Sequence, residues 1–164
     1  MGPLSRSAAK ASPAASSKRT RILALDYGRR RIGLAISDEL GLTAQPLPPL
    51  LRKNRREDLA RLREIAHVNS VARILVGLPL HLSGRRGEMA EEVSRFAGRI
   101  AKELGIPVEQ LDERLTSWEA EQLAKDTPRA KSADLDSISA AILLREYLET
   151  QNVRGVSAGA AHTP

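Results

Sequence analysis

Two apolar runs separated by only four residues constrain this chain more than any other feature. Residues 21–26 read RILALD, a compact apolar run closed by an acid. Residues 31–38 read RIGLAISD and put Ile32, Leu34 and Ile36 on one face with Gly33, Ala35 and Ser37 on the other. That period of two is the mark of a strand. The link Tyr27-Gly28-Arg29-Arg30 is short and contains a glycine, so the two strands are expected to pair antiparallel as a hairpin. Pro46, Pro48 and Pro49 then predict a break in regular structure, with room for only a short third strand.

After the hairpin the chain alternates. Residues 55–69 carry Leu59, Leu62, Ile65 and Ala66 on one helical stripe with arginines around the rest. Residues 72–77 (ARILVG) have buried-strand character and are closed by Leu78-Pro79. Val93, Phe96, Ile100 and Leu104 predict a helix over 88–104, and residues 106–111 a strand that delivers Asp112 and Glu113 at its end. Thr116 and Glu119 form a capping-box signature for a helix to about residue 125, and Asp134 can cap a last helix running through Tyr147, with Leu135, Ile138, Ala141 and Ile142 facing inward. A hairpin followed by strand-helix alternation predicts an α/β fold with a mixed sheet and helices packed on it.

The 164 residues suit one domain with a core of its own. Without a cysteine there is no disulfide framework, thiolate metal site or thiol nucleophile. No apolar run approaches the roughly 20 residues that span a bilayer, which predicts a soluble protein. Residues 1–20 hold Arg6, Lys10, Lys18 and Arg19 and no acid, and read as a disordered basic tail. They are Ser-rich like an organelle transit peptide but lack a clear amphipathic arginine face. The globular part is expected over 21–149, with a second disordered tail over 150–164.

The net charge of +6 is unevenly spread: residues 21–86 hold 13 bases and 6 acids, residues 87–150 hold 8 bases and 14 acids. One part can face phosphates and another can hold cations. The four aromatic residues, Tyr27, Phe96, Trp118 and Tyr147, are too few for a base-stacking platform, so nucleic acid would be held mainly through its backbone.

Three acids stand at positions where chemistry is expected. Asp26 ends the first strand, Glu113 follows the last strand, and Asp136 lies in the first turn of the last helix. Ligands of open α/β sheets sit outside strand ends, so Asp26 and Glu113 converge there if their strands are parallel neighbours, and the last helix can bring Asp136 to the same point. Three such carboxylates repel unless cations neutralise them, and hard oxygen donors suit Mg²⁺ or Mn²⁺. Two such ions about 3.5–4 Å apart activate a water and stabilise the leaving oxygen in phosphodiester cleavage, with no need of a histidine base. A plain structural role is also open to each acid: Asp26 as a turn residue, Glu113 as a solvated loop residue, Asp136 as a complement to the helix dipole.

The strings DYGRRRIGLAISD (26–38), VGLP (76–79), DERLTS (112–117) and DSISAAILLREYL (136–148) together resemble the bacterial Holliday-junction-resolvase-like family regarded as pre-16S rRNA nucleases. The resemblance covers residues 21–149. It implies a ribonuclease H-like fold, a five-stranded mixed sheet whose first three strands are antiparallel, flanked by helices. It also implies a two-metal-ion hydrolase with Asp26, Glu113 and Asp136 as catalytic metal ligands, Mg²⁺ or Mn²⁺ as cofactor, and a cytoplasmic role in maturing the 5′ end of 16S rRNA, in contact with the ribosome or pre-30S particles and with no membrane. Tyr27 stands where the family often has Phe, and Arg29-Arg30 where it often has Thr-Lys. The segment 123–133 is shorter than in some relatives, and Lys131 is the candidate for the basic residue that precedes the last helix.

Candidate phosphate contacts are Arg29, Arg30 and Arg31 beside Asp26, Arg85 and Arg86 in the Gly-flanked loop after VGLP, Arg114 next to Glu113, and Lys131. A solvated or ion-paired surface role is also open to each, and is favoured for Arg85 and Arg86. His67, His81 and His162 have no ligand-like spacing, and Trp118 reads as packing. An actin-like or sugar-kinase ATPase shares an Asp-x-Gly hairpin but needs a second such lobe, for which this chain has no room. Two other readings stay open: a non-catalytic RNA-binding or ribosome-assembly factor, and a Holliday-junction resolvase acting on DNA.

Overall fold

The structure is a computed structural model that describes residues 20–79, 85–113 and 132–159, the side chains of 132–134 and 156–159 excepted. Among the described residues, five strands and three helices follow in the order β1 (Arg21–Tyr27), β2 (Arg31–Ser37), β3 (Ala44–Leu51), α1 (Arg55–Val68), β4 (Val71–Leu78), α2 (Glu88–Leu104), β5 (Val108–Asp112) and α3 (Ser132–Gly159). The strands form one sheet in the order β3-β2-β1-β4-β5. The pairs β1–β2 and β2–β3 are antiparallel, and β1–β4 and β4–β5 are parallel. The hairpin and the mixed sheet are thus as the sequence predicts.

The alternation in β1 and β2 builds two unlike faces. Leu23, Leu25, Ile32, Leu34 and Ile36 form the large-residue face, which packs on Leu59, Leu62 and Ala66 of α1 and Val93, Phe96 and Ile100 of α2. Ala24 and Ala35 form the small-residue face, covered by Ala140, Leu144, Tyr147 and Leu148 of α3. Small residues let the helix backbone come close. A Cβ on Gly33 would collide with the backbone carbonyl of Asp136 and lie 2.8 Å from the Ser137 nitrogen. Buried Ser137 fixes the contact by accepting a hydrogen bond from the Leu34 backbone N–H, 3.3 Å. Further along, the Tyr147 hydroxyl donates to Glu109 of β5 at 3.1 Å and accepts from Arg73 of β4, pinning α3 across the sheet.

Three expectations need correction. The proline-rich segment is not a break: Ala44–Leu51 is an eight-residue strand. It tolerates its prolines because it is a sheet edge, and because Pro48 and Pro49 fall in the register shift between the Ile32–Leu50 and Leu34–Leu47 pairs. The strand expected over 106–111 begins at Val108, after Pro107, although Ile106 is buried in the core. Finally, α3 runs from Ser132 to Gly159, so Asp134 lies inside it and residues 150–159 are helical where a tail was expected. No proline interrupts that stretch, Arg145 and Glu149 pair one turn apart at 3.9 Å, and residues 151–155 are exposed to solvent. The helix expected over 116–125 lies outside the described residues.

Candidate active site

Asp26 sits near the C-terminal end of β1, on the face that α3 covers, in register with Gly33 of β2. Glu113 follows the C-terminal end of β5. Their strands are parallel, but they are not neighbours as the sequence reading required, because β4 lies between them. Convergence has a different cause. At that level β4 carries Gly77, and a Cβ there would lie 2.8 Å from both Cγ and Cδ of Glu113. With no side chain in the way, Glu113 leans across β4 and makes a side-chain hydrogen bond with Asp26.

The two carboxyl groups behave as one unit. Burial above all, then the Glu113 charge, the hydrogen bond to Glu113 and the Asp136 charge push the Asp26 carboxyl up to about 8. Burial also raises Glu113, opposed by its hydrogen bond with Asp26 and reinforced by Asp112. A hydrogen bond between two carboxyl groups needs one proton, so the pair holds a proton in common. Asp136, brought down by the Gly33 contact, is close enough to act on Asp26 electrostatically. Its own carboxylate is turned to Arg31, with Nε 3.0 Å from Oδ2. As placed, no three Asp, Glu or His side chains among the described residues are grouped so as to hold a metal ion. The donor set nevertheless fits one: two hard-oxygen groups forced together, sharing a proton in place of a cation, with a third carboxylate in electrostatic reach.

The basic candidates divide. Arg29 pairs with Glu92 at 3.3 Å, and Arg86 is held on α2 by Glu91 at 3.3 Å and by Ser94. Arg30 and Arg85 are exposed, and Arg31 is committed to Asp136. Arg114 and Lys131, with Thr116, Ser117, Trp118, His81 and His162, lie outside the described residues. His67 is in the last turn of α1, exposed.

Sequence reasoning missed the support beneath the hairpin. The Tyr27 hydroxyl donates to Glu92 at 2.6 Å, and the Arg52 guanidinium lies 4.7 Å from the Tyr27 ring centroid. Arg52 also donates to the Gly28 carbonyl at 3.2 Å and pairs at 3.1 Å with Asp58, which is 1% exposed. The one signal available was an acid on the apolar side of α1, adjacent to Leu59.

A family model described as Holliday junction resolvase, RuvX, matches residues 20–150. This chain belongs to the RuvX family. A Koribacter versatilis member, provisionally named pre-16S rRNA nuclease, is 46% identical over 136 residues, covering 81% of this chain and 89% of its own. Members under the same name from Symbiobacterium thermophilum and Thermosynechococcus vestitus are 44% and 38% identical, covering 82% and 87% of this chain and 95% and 97% of their own. Among solved structures, the fold is similar to that of T. thermophilus RuvC in complex with a Holliday junction substrate, with a TM-score of 0.52 at 18% identity over 81% of this chain and 96% of that one. The fold is therefore ribonuclease H-like, and family membership agrees with the resemblance that the four motifs carry.

Proposed function

We propose that this protein is a metal-dependent nuclease that hydrolyses phosphodiester bonds in the 5′-end maturation of pre-16S rRNA, in the cytoplasm, on free precursor or on pre-30S particles. The observation that carries the reading is the proton-sharing Asp26–Glu113 pair at the ends of β1 and β5. The names of its relatives support the substrate. No described helix is long and apolar enough to cross a membrane.

Asp26, Glu113 and Asp136 would hold Mg²⁺ or Mn²⁺. When bound, such an ion supplies Lewis acidity toward water and toward the leaving oxygen of the phosphodiester. The chain's own part is to fix the carboxylates by strand register and by two glycine-made contacts, so that little reorganisation is left to the reaction. Exposed Arg30 beside the site can meet the phosphate backbone. The description of the family model favours a second reading, resolution of branched DNA.

The test is cleavage, with Mg²⁺ or Mn²⁺, of precursor 16S rRNA, an unrelated single-stranded RNA and a four-way DNA junction, with Asp26→Asn as control. Cleavage of the precursor that Asp26→Asn abolishes is expected. Preference for the junction would replace RNA by DNA. Tight RNA binding with no cleavage of any substrate would make the protein a binding or assembly factor.

A further inference from the structure

The third carboxylate of the site already has a cation, supplied by the chain itself. Arg31 lies on the small-residue face of β2, two positions before Gly33, which is paired with Asp26 and touched by the Asp136 backbone. Its Nε is 3.0 Å from Asp136 Oδ2, and the two side chains are 31% and 34% exposed, so the pair is partly shielded from water. Such a pair is stronger than a surface one and costs more to break. Asp136 is thereby drawn to the guanidinium, and the described acids fall short of a three-donor group.

We propose that Arg31 is a built-in counter-cation that competes with the divalent metal for Asp136, and that loading the site exchanges the ion pair for a metal–carboxylate contact. This rests on the reading of Asp26, Glu113 and Asp136 as metal ligands. The register supports an exchange, since Arg31 is anchored next to the hairpin turn, at the start of β2, and its long side chain can turn to solvent or to phosphate without moving the sheet. Asp136 is held differently: the Gly33 contact and the Ser137 hydrogen bond fix its backbone, leaving only its carboxylate to choose between the two cations. Arg31 is thus a positioning residue for the metal site.

The experiment measures Mn²⁺ affinity of the full chain without nucleic acid, by electron paramagnetic resonance of free Mn²⁺. Arg31→Gln should bind Mn²⁺ about tenfold more tightly than wild type, as expected for removing a directly coupled competitor. In an Asp136→Asn background the same substitution should change nothing, since the shared carboxylate is gone. Arg30→Gln removes a nearby exposed charge and should change affinity by less than about threefold. Unchanged or weaker Mn²⁺ binding in Arg31→Gln, or an equal gain in the Asp136→Asn background, would overturn the exchange while leaving the metal-site reading intact. Absence of Mn²⁺ binding by the wild type would overturn both. Mn²⁺ binding without nuclease activity would overturn the proposed function alone.

Discussion

Glu113 lies over the space where Gly77 has no side chain, with its Cγ and Cδ each 2.8 Å from the position a Cβ would take. This close approach lets a residue after β5 reach Asp26 on β1 across an intervening strand. Gly77→Ala should therefore displace the carboxylate by about 1 Å, and a misplacement of that size costs up to about 100-fold in rate. Stability should fall modestly, by about 1–3 kcal/mol of overpacking. The cleavage rate and a urea titration check this together; full activity in a folded Gly77→Ala protein would show that Glu113 need not cross β4.

The carboxylates themselves are predicted to give a paired signature. Asp26→Asn, Glu113→Gln and Asp136→Asn should each abolish cleavage; the metal-free melting temperature should be unchanged or raised in the first two, because repulsion among the acids is relieved, and lowered slightly in Asp136→Asn, which leaves Arg31 without its partner. Asp26→Asn and Glu113→Gln should also lose the extra thermal stability that saturating Mg²⁺ or Mn²⁺ gives the wild type, and Asp136→Asn should keep only part of it. Asp112→Asn should keep most activity, since strand alternation points Asp112 to the other face. Loss of activity with an intact metal-induced shift in melting temperature would contradict the ligand assignment.

The pH dependence follows from the same pair. The folded-state value of Asp26, about 8, lies far above that of an unfolded aspartate, so the folded protein keeps a proton that the unfolded chain gives up. Its contribution to stability is complete below about pH 4 and is lost as pH rises toward 8. Thermal melts of the metal-free wild type should decline over that window, and those of Asp26→Asn should be flatter. Saturating Mg²⁺ should help most at the alkaline end, where it no longer competes with the proton. Parallel pH profiles for wild type and Asp26→Asn would show that the pair does not share a proton.

The period of two in RIGLAISD already separated the two faces of β2, while which helices each face receives, and the side on which Asp26 points, depend on the strand register and the packing. Local signals of this kind carried the hairpin, most element types and the choice of three acids. What stayed hidden depends on contacts distant in sequence. Nothing near Gly77 indicates that Glu113 will lean over it, and nothing near Arg31 indicates a partner 105 residues away. Pro46, Pro48 and Pro49 misled for the same reason, since proline disfavours a central strand but is tolerated at an edge, and edge status is a property of the whole sheet. For Asp58 the sequence shows only its place beside Leu59, because its partner Arg52 is brought over it by the path of β3.

The basic N-terminal segment gives a prediction from charge alone. Residues 1–19 supply four lysines and arginines and no acid. Removing them should lower nonspecific binding of RNA and reduce the slope of log affinity against log salt by up to about 3, at roughly 0.7 per single-strand phosphate neutralised. The melting temperature should not move. Fluorescence anisotropy across a salt series checks this, and an unchanged slope would assign the binding to the sheet-and-helix body.

Asp58 is predicted to matter for stability far more than its place on the helix suggests. It accepts from Arg52 Nε at 3.1 Å and from the Lys53 backbone N–H at 3.1 Å, while Arg52 in turn donates to the Gly28 carbonyl and stacks against Tyr27. One buried acid thus ties the start of α1 to the turn that follows Asp26. Asp58→Ala leaves a largely buried guanidinium without its partner and should cost about 3 kcal/mol in urea unfolding, the lower end for breaking a buried pair because Arg52 keeps some contact with water. Asp58→Asn, which can still accept from Lys53, should cost less. Glu39→Ala, which removes the exposed Arg21–Glu39 pair, should have no measurable effect. The loosened turn should also slow cleavage in Asp58→Ala at temperatures where the protein stays folded. Equal unfolding free energies for Asp58→Ala and Glu39→Ala would show that the hairpin turn is held by the sheet alone.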